Sequence, residues 1–252
     1  MTAGEIYNYL NELAPFKNAA KTDNCGLLVG DMNAQVNKIL LCLDVTNAVV
    51  SEAILKKADL IISHHPLMYR PVSKIIKNDP LYALIASGIN FIAAHTNYDV
   101  AKGGLPDMML ELLGLPPSDV VLLPVNPDGT GYGRITELDA PISARELAER
   151  CKAAFNCTVV KYTDSNKPIK KIGVSSGSAS ESVEAALHAG CDAFICGEAR
   201  WDKMVYAENY GLTLIEAGHF HTENIFCDLL KTKFQNSEVF IAENSTDFCK
   251  YI

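Results

Sequence analysis

The chain has 252 residues, of which 48 % are apolar, so it can form one large domain or two lobes with a sizeable core. Its net charge of −8 argues against duplex nucleic acid as the main partner, because phosphate binding needs clustered lysine and arginine side chains. No apolar run approaches the length of about 18 residues that a membrane span requires, and residues 1–5 lack the features of a signal peptide.

The eight cysteines are scattered along the chain, and no CxxC pair occurs among them. Several lie in apolar stretches, such as Cys42 and Cys196. This usage is typical of buried, reduced thiols in a cytoplasmic protein. A structural zinc site made of cysteines is not expected.

The first half of the chain alternates predicted helices with predicted strands. Thr2 and Thr46 are suitable N-caps, and Gly88 and Gly114 are suitable stops. The helices are predicted at 3–13, 46–57, 80–87 and 104–113, and the strands at 38–43, 58–62 and 91–94, with a shorter apolar run at 26–30. This alternation predicts βαβ units.

Residues 122–134 interrupt the pattern with two prolines and three glycines, and they are the best candidate for a linker. In the second half we predict strands at 134–138, 157–162, 171–175, 192–196, 212–217 and 239–242, and helices at 143–155, 180–188 and 222–230. The expected fold is therefore α/β, with two lobes (residues 1–125 and 126–252) and largely parallel sheets flanked by helices.

Five of the six histidines follow three of the predicted strands. His64 and His65 come after the first of these strands, and Pro66 supports the end of that strand because it removes a ladder donor. The other two stretches are 95–99 and 218–223. Ligands gather outside the carboxyl ends of strands in open α/β sheets, so these stretches are expected to converge.

The candidate ligands combine imidazole nitrogens with carboxylate oxygens, a mixture that suits Zn, Mn, Fe, Co or Ni and fits Ca or Cu(I) poorly. They are His64, His65, Asp99, His219 and Glu223. Five side chains exceed the three that a catalytic zinc usually takes, and they suit two metals roughly 3.5–4 Å apart with a bridging carboxylate. The alternative for any one histidine is a hydrogen-bonded structural role.

Other polar residues have weaker claims. His95 could orient a ligand, and His221 could act as a general acid or base. Arg70 is a reasonable contact for an anion. The loop 175–180 joins a strand to a helix, so it is either an anion-binding loop or an ordinary turn. The glycines of 129–133 precede a strand, which favours a turn over a nucleotide loop.

The whole chain resembles the NGG-interacting-factor-three-like dinuclear metal proteins, which are also known as type-two GTP cyclohydrolase I homologues. The resemblance rests on Asp23-Asn24-Cys25-Gly26-Leu27, His64-His65-Pro66-Leu67, His95-Thr96-Asn97-Tyr98-Asp99, Gly131-Tyr132-Gly133-Arg134 and Gly218-His219-Phe220-His221-Thr222-Glu223. It implies the same five metal ligands, with Glu223 bridging. It also implies metals in the cleft between two lobes and a toroidal homohexamer.

Two functions are compatible with these residues. The first is a metal-dependent hydrolase of the GTP cyclohydrolase I type, with His221 or His95 transferring protons and Arg70 holding a nucleotide or pterin-like substrate. The second is a non-catalytic metal-binding protein or metallochaperone that acts through a ligand or a protein partner. It arises because metal ligands are evident, whereas no nucleophile or dedicated base is. A scaffold with incidental histidines is the third possibility.

Overall fold

The structure is a computed structural model that describes residues 1–234 and 237–252. The chain forms two compact units, each with its own β-sheet. The first unit comprises residues 1–98 and 226–246, and the second comprises residues 99–225 and 247–252. Within the described ranges, no helix has both the length and the apolar character that crossing a bilayer requires.

The sheet of the first unit has the strand order β1-β4-β3-β2-β11. Its strands are β1 (Gly26–Val29), β2 (Lys38–Cys42), β3 (Leu60–Ser63), β4 (Asn90–Ala93) and β11 (Glu238–Ile241). The pairs β4–β3, β3–β2 and β2–β11 are parallel, and only the edge pair β1–β4 is antiparallel among these strands. The expectation of a largely parallel sheet is confirmed in this unit.

Helices of the first unit begin where the capping residues predict. They are α1 (Ala3–Leu13), α2 (Asn47–Lys56) and α3 (Pro80–Ser87), together with a 3₁₀ turn at Phe16–Asn18. Thr2 forms a capping box with Glu5, and the Thr46 hydroxyl accepts a hydrogen bond from the Val49 amide. Two further helices, α4 (Thr96–Val100) and α10 (Ile225–Lys231), run across points where the chain passes from one unit to the other.

The core of the first unit lies between the sheet and α2 and α3. It contains alternate residues of three strands, including Leu40, Ile61 and Phe91, with Val49 and Leu84 from the helices. All four residues of β3 are buried, as expected for a strand inside a parallel sheet. His64 directly follows β3, so packing against both faces of this strand holds the position where His64 leaves the sheet.

The sheet of the second unit is mixed, with the order β5-β6-β8-β9-β10-β7. Its strands are β5 (Val121–Pro124), β6 (Gly131–Ile142), β7 (Lys161–Tyr162), β8 (Ile169–Val174), β9 (Ala193–Cys196) and β10 (Thr213–Glu216). Only β8–β9 and β9–β10 are parallel among them. Its helices are α5 (Leu105–Leu112), α6 (Ala144–Ala154), α7 (Ser182–His188), α8 (Trp201–Tyr210) and α9 (His219–Glu223).

The prediction of a linker at 122–134 is wrong, because this segment forms the antiparallel pair β5–β6. Its glycines permit close packing of strands. A Cβ on Gly131 would lie 2.1 Å from the carbonyl oxygen of Leu123, and one on Gly133 would lie 2.6 Å from that of Val174. The chain passes from one compact unit to the other after residues 98, 225 and 246.

Other elements of the second half also differ from the sequence prediction. The strand predicted at 157–162 is reduced to β7, and α8 was not predicted at all. The last predicted helix, at 222–230, begins earlier, at His219, and is divided at Asn224 into α9 and α10.

Candidate metal centre

His64 and His65 leave the sheet together at the end of β3. Their backbone amides still donate to carbonyl oxygens at the end of the adjacent strand β2, those of Cys42 (3.2 Å) and Leu43 (3.0 Å). Their ring centroids are nevertheless only 5.3 Å apart, with planes inclined by 39°. Adjacent side chains that would diverge in a regular strand therefore remain neighbours where this strand ends.

An oxygen atom anchors the Nδ1 atom of each of these rings. His64, which is fully buried, lies with Nδ1 3.0 Å from the carbonyl oxygen of Ala94. His65 lies with Nδ1 2.8 Å from Oδ1 of Asp44, the residue that follows β2 and Leu43. A carbonyl oxygen can only accept, so His64 donates through Nδ1 and its Nε2 retains the lone pair.

His95 is held in the same manner. Its Nδ1 lies 3.0 Å from both carboxylate oxygens of Asp23. The Asp23 carboxylate also accepts from Thr96, Cys25 and the Asn24 amide. Burial raises the pKa of Asp23, but the hydrogen bonds from His95 and Thr96 outweigh it and hold the pKa well below its usual range. Asp23 is therefore a permanent anion that orients His95.

One nitrogen from each of His64, His65 and His95, here called the histidine trio, lies within 4.8 Å of the others. The His95 ring centroid is 5.0 Å from that of His64 and 5.3 Å from that of His65. Nitrogens bound to one zinc ion at about 2.1 Å can be at most about 4.2 Å apart, so a small movement would suffice. The donor set and the anchored Nδ1 atoms fit a divalent transition metal.

In the second unit, His219 and Glu223 lie on one side of α9. Gly218, with φ of +89°, precedes the helix, and the four-residue spacing brings His219 Nε2 to 2.8 Å from Glu223 Oε2. Nδ1 of His219 lies 3.3 Å from Glu198 Oε1. Burial lowers the pKa of His219, but the Glu223 and Glu198 carboxylates raise it to about 8. A metal ion held by His219 and Glu223 would replace the extra proton that His219 carries in its charged form.

The loop 175–180 is built against the predicted carboxylate ligands. The Ser176 hydroxyl donates to Asp99 Oδ1 at 2.9 Å, and the Gly177 amide donates to the Thr222 hydroxyl at 3.2 Å. A Cβ on Gly177 would lie only 1.8 Å from Glu223 Oε1. Sequence reasoning offered this loop as an anion site or a plain turn and missed its contact with Asp99 and Glu223.

The structure thus places the predicted residues in two groups. His64 and His65 lie in the first unit beside His95, whereas Asp99, His219 and Glu223 lie in the second. His221 points its Nε2 towards Asp247 Oδ2, at 3.6 Å. The sequence assigned no anchoring role to the carboxylates that hold the imidazoles, which are those of Asp23, Asp44 and Glu198. An acidic residue after a strand is common, so only the fold distinguishes these from other surface carboxylates.

Arg70 lies in the segment after β3 and lines a cavity of about 440 Å³ in the first unit. Asp23 and Tyr69 line the same cavity. The Tyr69 ring centroid is 5.8 Å from that of His95, with the planes at 80°. The predicted anion contact therefore lines the same cavity as Tyr69, whose ring neighbours that of His95.

Comparison with known proteins gives one consistent relationship. Two proteins named GTP cyclohydrolase 1 type 2 homolog are similar: one from Clostridium perfringens (34 % identical, 88 % of this chain, 87 % of the relative) and one from Clostridium acetobutylicum (30 %, 98 % and 97 %). A hypothetical protein from Staphylococcus aureus has a similar crystal structure (TM-score 0.90, 28 % identical, 100 % and 99 % covered). The model of the Duf34/NIF3 (NGG1p interacting factor 3) family matches residues 1–247. The chain therefore belongs to the Duf34/NIF3 family.

Proposed function

We propose that the protein binds two divalent metal ions and hydrolyses a nucleotide or pterin-like substrate, as a GTP cyclohydrolase I would. The residues that would hold these ions are His64, His65, Asp99, His219 and Glu223. The observation that carries the proposal is that Nδ1 of each of the proposed ligands His64 and His65, like that of the neighbouring His95, is anchored by an oxygen acceptor. This arrangement presets the tautomer that leaves Nε2 available to a metal.

The second unit supports the same chemistry with harder donors. Oε2 of Glu223 lies 2.8 Å from Nε2 of His219, and Asp99 accepts a hydrogen bond from the Ser176 hydroxyl. Divalent ions bound by such donors lower the pKa of a water toward about 7 and polarise the bond under attack. Zn, Fe, Mn, Co and Ni all suit this mixture of nitrogen and oxygen ligands.

The remaining roles fall to residues of the chain itself. His95, fixed by Asp23, and His221, beside Asp247, are the proposed proton-transfer groups. Arg70 is proposed to hold the anionic part of the substrate, because it lines the cavity next to the histidine trio. The names of the curated relatives favour a substrate related to GTP.

Metal content and turnover test this proposal together. Untagged protein should contain about two divalent ions per subunit by mass spectrometry, and GTP should be consumed by the metal-loaded protein. His64→Ala and Glu223→Ala should each lose metal and activity. His188→Ala is the matched control, because His188 is an exposed helical histidine outside both groups. Full metal content in both site variants would refute the ligand assignment.

A non-catalytic metal carrier is the second candidate. It is favoured by the saturation of Asp23, whose carboxylate already accepts several hydrogen bonds and is poorly suited to act as a base. A carrier would release its metal to a chelating acceptor and show no turnover of nucleotides, pterins or phosphoesters. His64→Ala would then abolish metal delivery to that acceptor.

The cytoplasmic homohexamer is also part of the proposal. Sedimentation velocity of the full chain measures the assembly directly, and a monomer or dimer at micromolar concentration would contradict it. The oligomeric state is independent of the metal assignment, so either can fail alone.

A further inference from the structure

We infer that the cavity beside the histidine trio is a binding site for a planar heteroaromatic molecule that carries a phosphate group. Its volume of about 440 Å³ lies in the range of small-molecule sites and suits a ligand of the size of a nucleoside monophosphate. All of its lining residues belong to the first unit. The role of this cavity as the substrate site rests on the proposed function. The inference that the cavity binds such a molecule does not.

The walls of the cavity supply an apolar surface for a flat ring. Leu28 and Leu81 line the cavity, and Val72, Ile75 and Ile85, which also line it, expose 45–50 % of their surfaces. Apolar side chains gathered and left exposed in this way mark a binding surface. The apolar lining thus favours a ligand with a hydrophobic body.

Tyr69 gives the cavity its aromatic face. Its side chain is 52 % exposed, and its ring stands nearly perpendicular to that of His95. A heteroaromatic base stacks favourably on an aromatic side chain, without any requirement for sequence or hydrogen bonds. A heterocycle stacked on Tyr69 would lie next to His95, and therefore beside the histidine trio.

Arg70 gives the cavity its charge preference. It is the only cationic residue among those that line the cavity, and within the described ranges it forms no ion pair. The Asp23 carboxylate at the same cavity already accepts hydrogen bonds from His95, Thr96 and Cys25. A guanidinium matches a phosphate through paired hydrogen bonds.

The loop that carries these residues is fixed at its start. The Asn24 side-chain amide donates to the carbonyl oxygen of Met68 at 2.7 Å, directly before Tyr69. Asn24 also lines the cavity. This hydrogen bond ties the Tyr69–Arg70 pair to the segment that contains Asp23, so the aromatic face and the charge are held on the same side as the histidine trio.

Calorimetric titration of the EDTA-treated full chain with guanosine 5′-monophosphate tests the inference. Guanosine and ribose 5-phosphate, each of which lacks one of the two recognised parts, should bind at least about 10-fold more weakly. Arg70→Gln should weaken binding by at least about 10-fold, and Tyr69→Ala by about 5-fold or more. Tyr69→Phe should stay within about 2-fold, because it keeps the aromatic face.

Lys74→Gln is the matched control. It removes the same charge from the same exposed segment, but Lys74 does not line the cavity. Equal binding of the nucleotide by wild type and Arg70→Gln would overturn the inference, as would binding of ribose 5-phosphate as tight as that of the nucleotide.

Metal analysis separates this inference from the proposed function. Arg70→Gln should keep the metal content of the wild type, whereas His64→Ala should lose metal and still bind the nucleotide within about 2-fold. Nucleotide binding without turnover would leave the binding site standing while the hydrolase proposal fails. Turnover of GTP that is unaffected by Tyr69→Ala and Arg70→Gln would instead support the hydrolase proposal and contradict the inferred binding site.

Discussion

A histidine becomes a good metal ligand when its second ring nitrogen is fixed, and the proposed ligands His64 and His65 have that support, as does the neighbouring His95. The anchors differ: a carbonyl oxygen for His64, a half-exposed carboxylate for His65 and a buried carboxylate for His95. The carboxylates of Asp44 and Asp23 orient the rings that they hold through Nδ1. Metal affinity in the first unit should thus depend on residues that never touch the ion.

Asp44→Asn tests this dependence. The asparagine keeps an oxygen for His65 Nδ1 but loses the charge, so metal affinity should fall by about 10-fold with little change in stability. Competition with a colorimetric chelator measures the affinity. Asp31→Asn, an exposed carboxylate after β1, is the control and should leave it unchanged. Unaltered affinity in Asp44→Asn would show that the carboxylate is a surface charge only.

Arg134 holds the second unit together in a way that only a guanidinium can. It is 3 % exposed, and it donates to both oxygens of Asp107 at 2.9 Å and to the Ala101 carbonyl oxygen at 2.8 Å. Arg134→Lys keeps the charge but cannot form this fork. It should lower the free energy of unfolding by about 2 kcal/mol in urea titrations.

The exposed pair of Arg145 and Glu149 supplies the comparison for that measurement. Arg145→Lys should change the free energy of unfolding by less than about 0.5 kcal/mol, because both side chains are largely in solvent. Similar effects of the two substitutions would mean that the buried fork contributes no more than a surface ion pair.

The join between α2 and the chain after β11 depends on one buried carboxylate. Glu52 accepts from the amides of Glu243 and Asn244, both at 3.0 Å, and from the Asn244 side chain at 2.8 Å. Burial raises the pKa of Glu52, but these hydrogen bonds lower it below its ordinary value overall. The charged form is therefore the one that the folded chain stabilises.

Glu52→Gln should reduce the free energy of unfolding by about 1–3 kcal/mol at neutral pH. A folded-state pKa below the unfolded value gives stability that is full above the unfolded pKa and is lost as the pH falls through the folded one. The difference between wild type and variant should thus shrink in acid. Urea titrations at several pH values measure it, with the exposed Glu149→Gln as control. A difference independent of pH would contradict the role of the charge.

The strands that precede the histidines were predictable, because a short apolar run that ends in polar residues indicates a buried strand that ends at that point. The ends of β3 and β4 fall within a residue of their predicted positions. The β5–β6 pair was not predictable from local pattern. Its glycines resemble those of a linker, and only the partner strands reveal that Gly131 and Gly133 allow backbones to approach.

The helix α8 was missed for a different reason. Trp201 and Tyr210 at its ends are largely exposed, so its apolar residues do not form one clear stripe. The start of α9 was misplaced because Thr222 is a better N-cap by type than Gly218. The Thr222 hydroxyl instead contacts the Gly177 amide. A tertiary contact thus accounts for the misplaced start of α9.

The candidate ligands themselves were accessible from sequence, whereas their anchors were not. Histidine is rare enough in this chain that five of six at strand ends is informative. Asp23 precedes His95 by 72 positions, and Asp44 precedes His65 by 21. Pairings over such separations need the sheet order, in which β1 and β3 both border β4.

The chain passes between its two compact units three times, so neither unit is a continuous segment. The first unit is completed by residues 226–246, which supply β11 beside β2 and the fully buried Phe226. The rings of Tyr98 and Phe226 are 5.3 Å apart, centroid to centroid, so the two pieces of the unit are close where the chain leaves and returns. The intervening segment is therefore an insertion that a short connection can replace.

A protein in which residues 1–98 are joined to 226–246 by about four Gly and Ser residues should fold alone. It keeps the whole five-stranded sheet and its core. Circular dichroism should record a single cooperative thermal transition. The fragment 1–125 should unfold without cooperativity, because the edge of β2 and the site of Phe226 are left uncovered. Cooperative unfolding of 1–125 with the same midpoint would contradict the assignment of 226–246 to this unit.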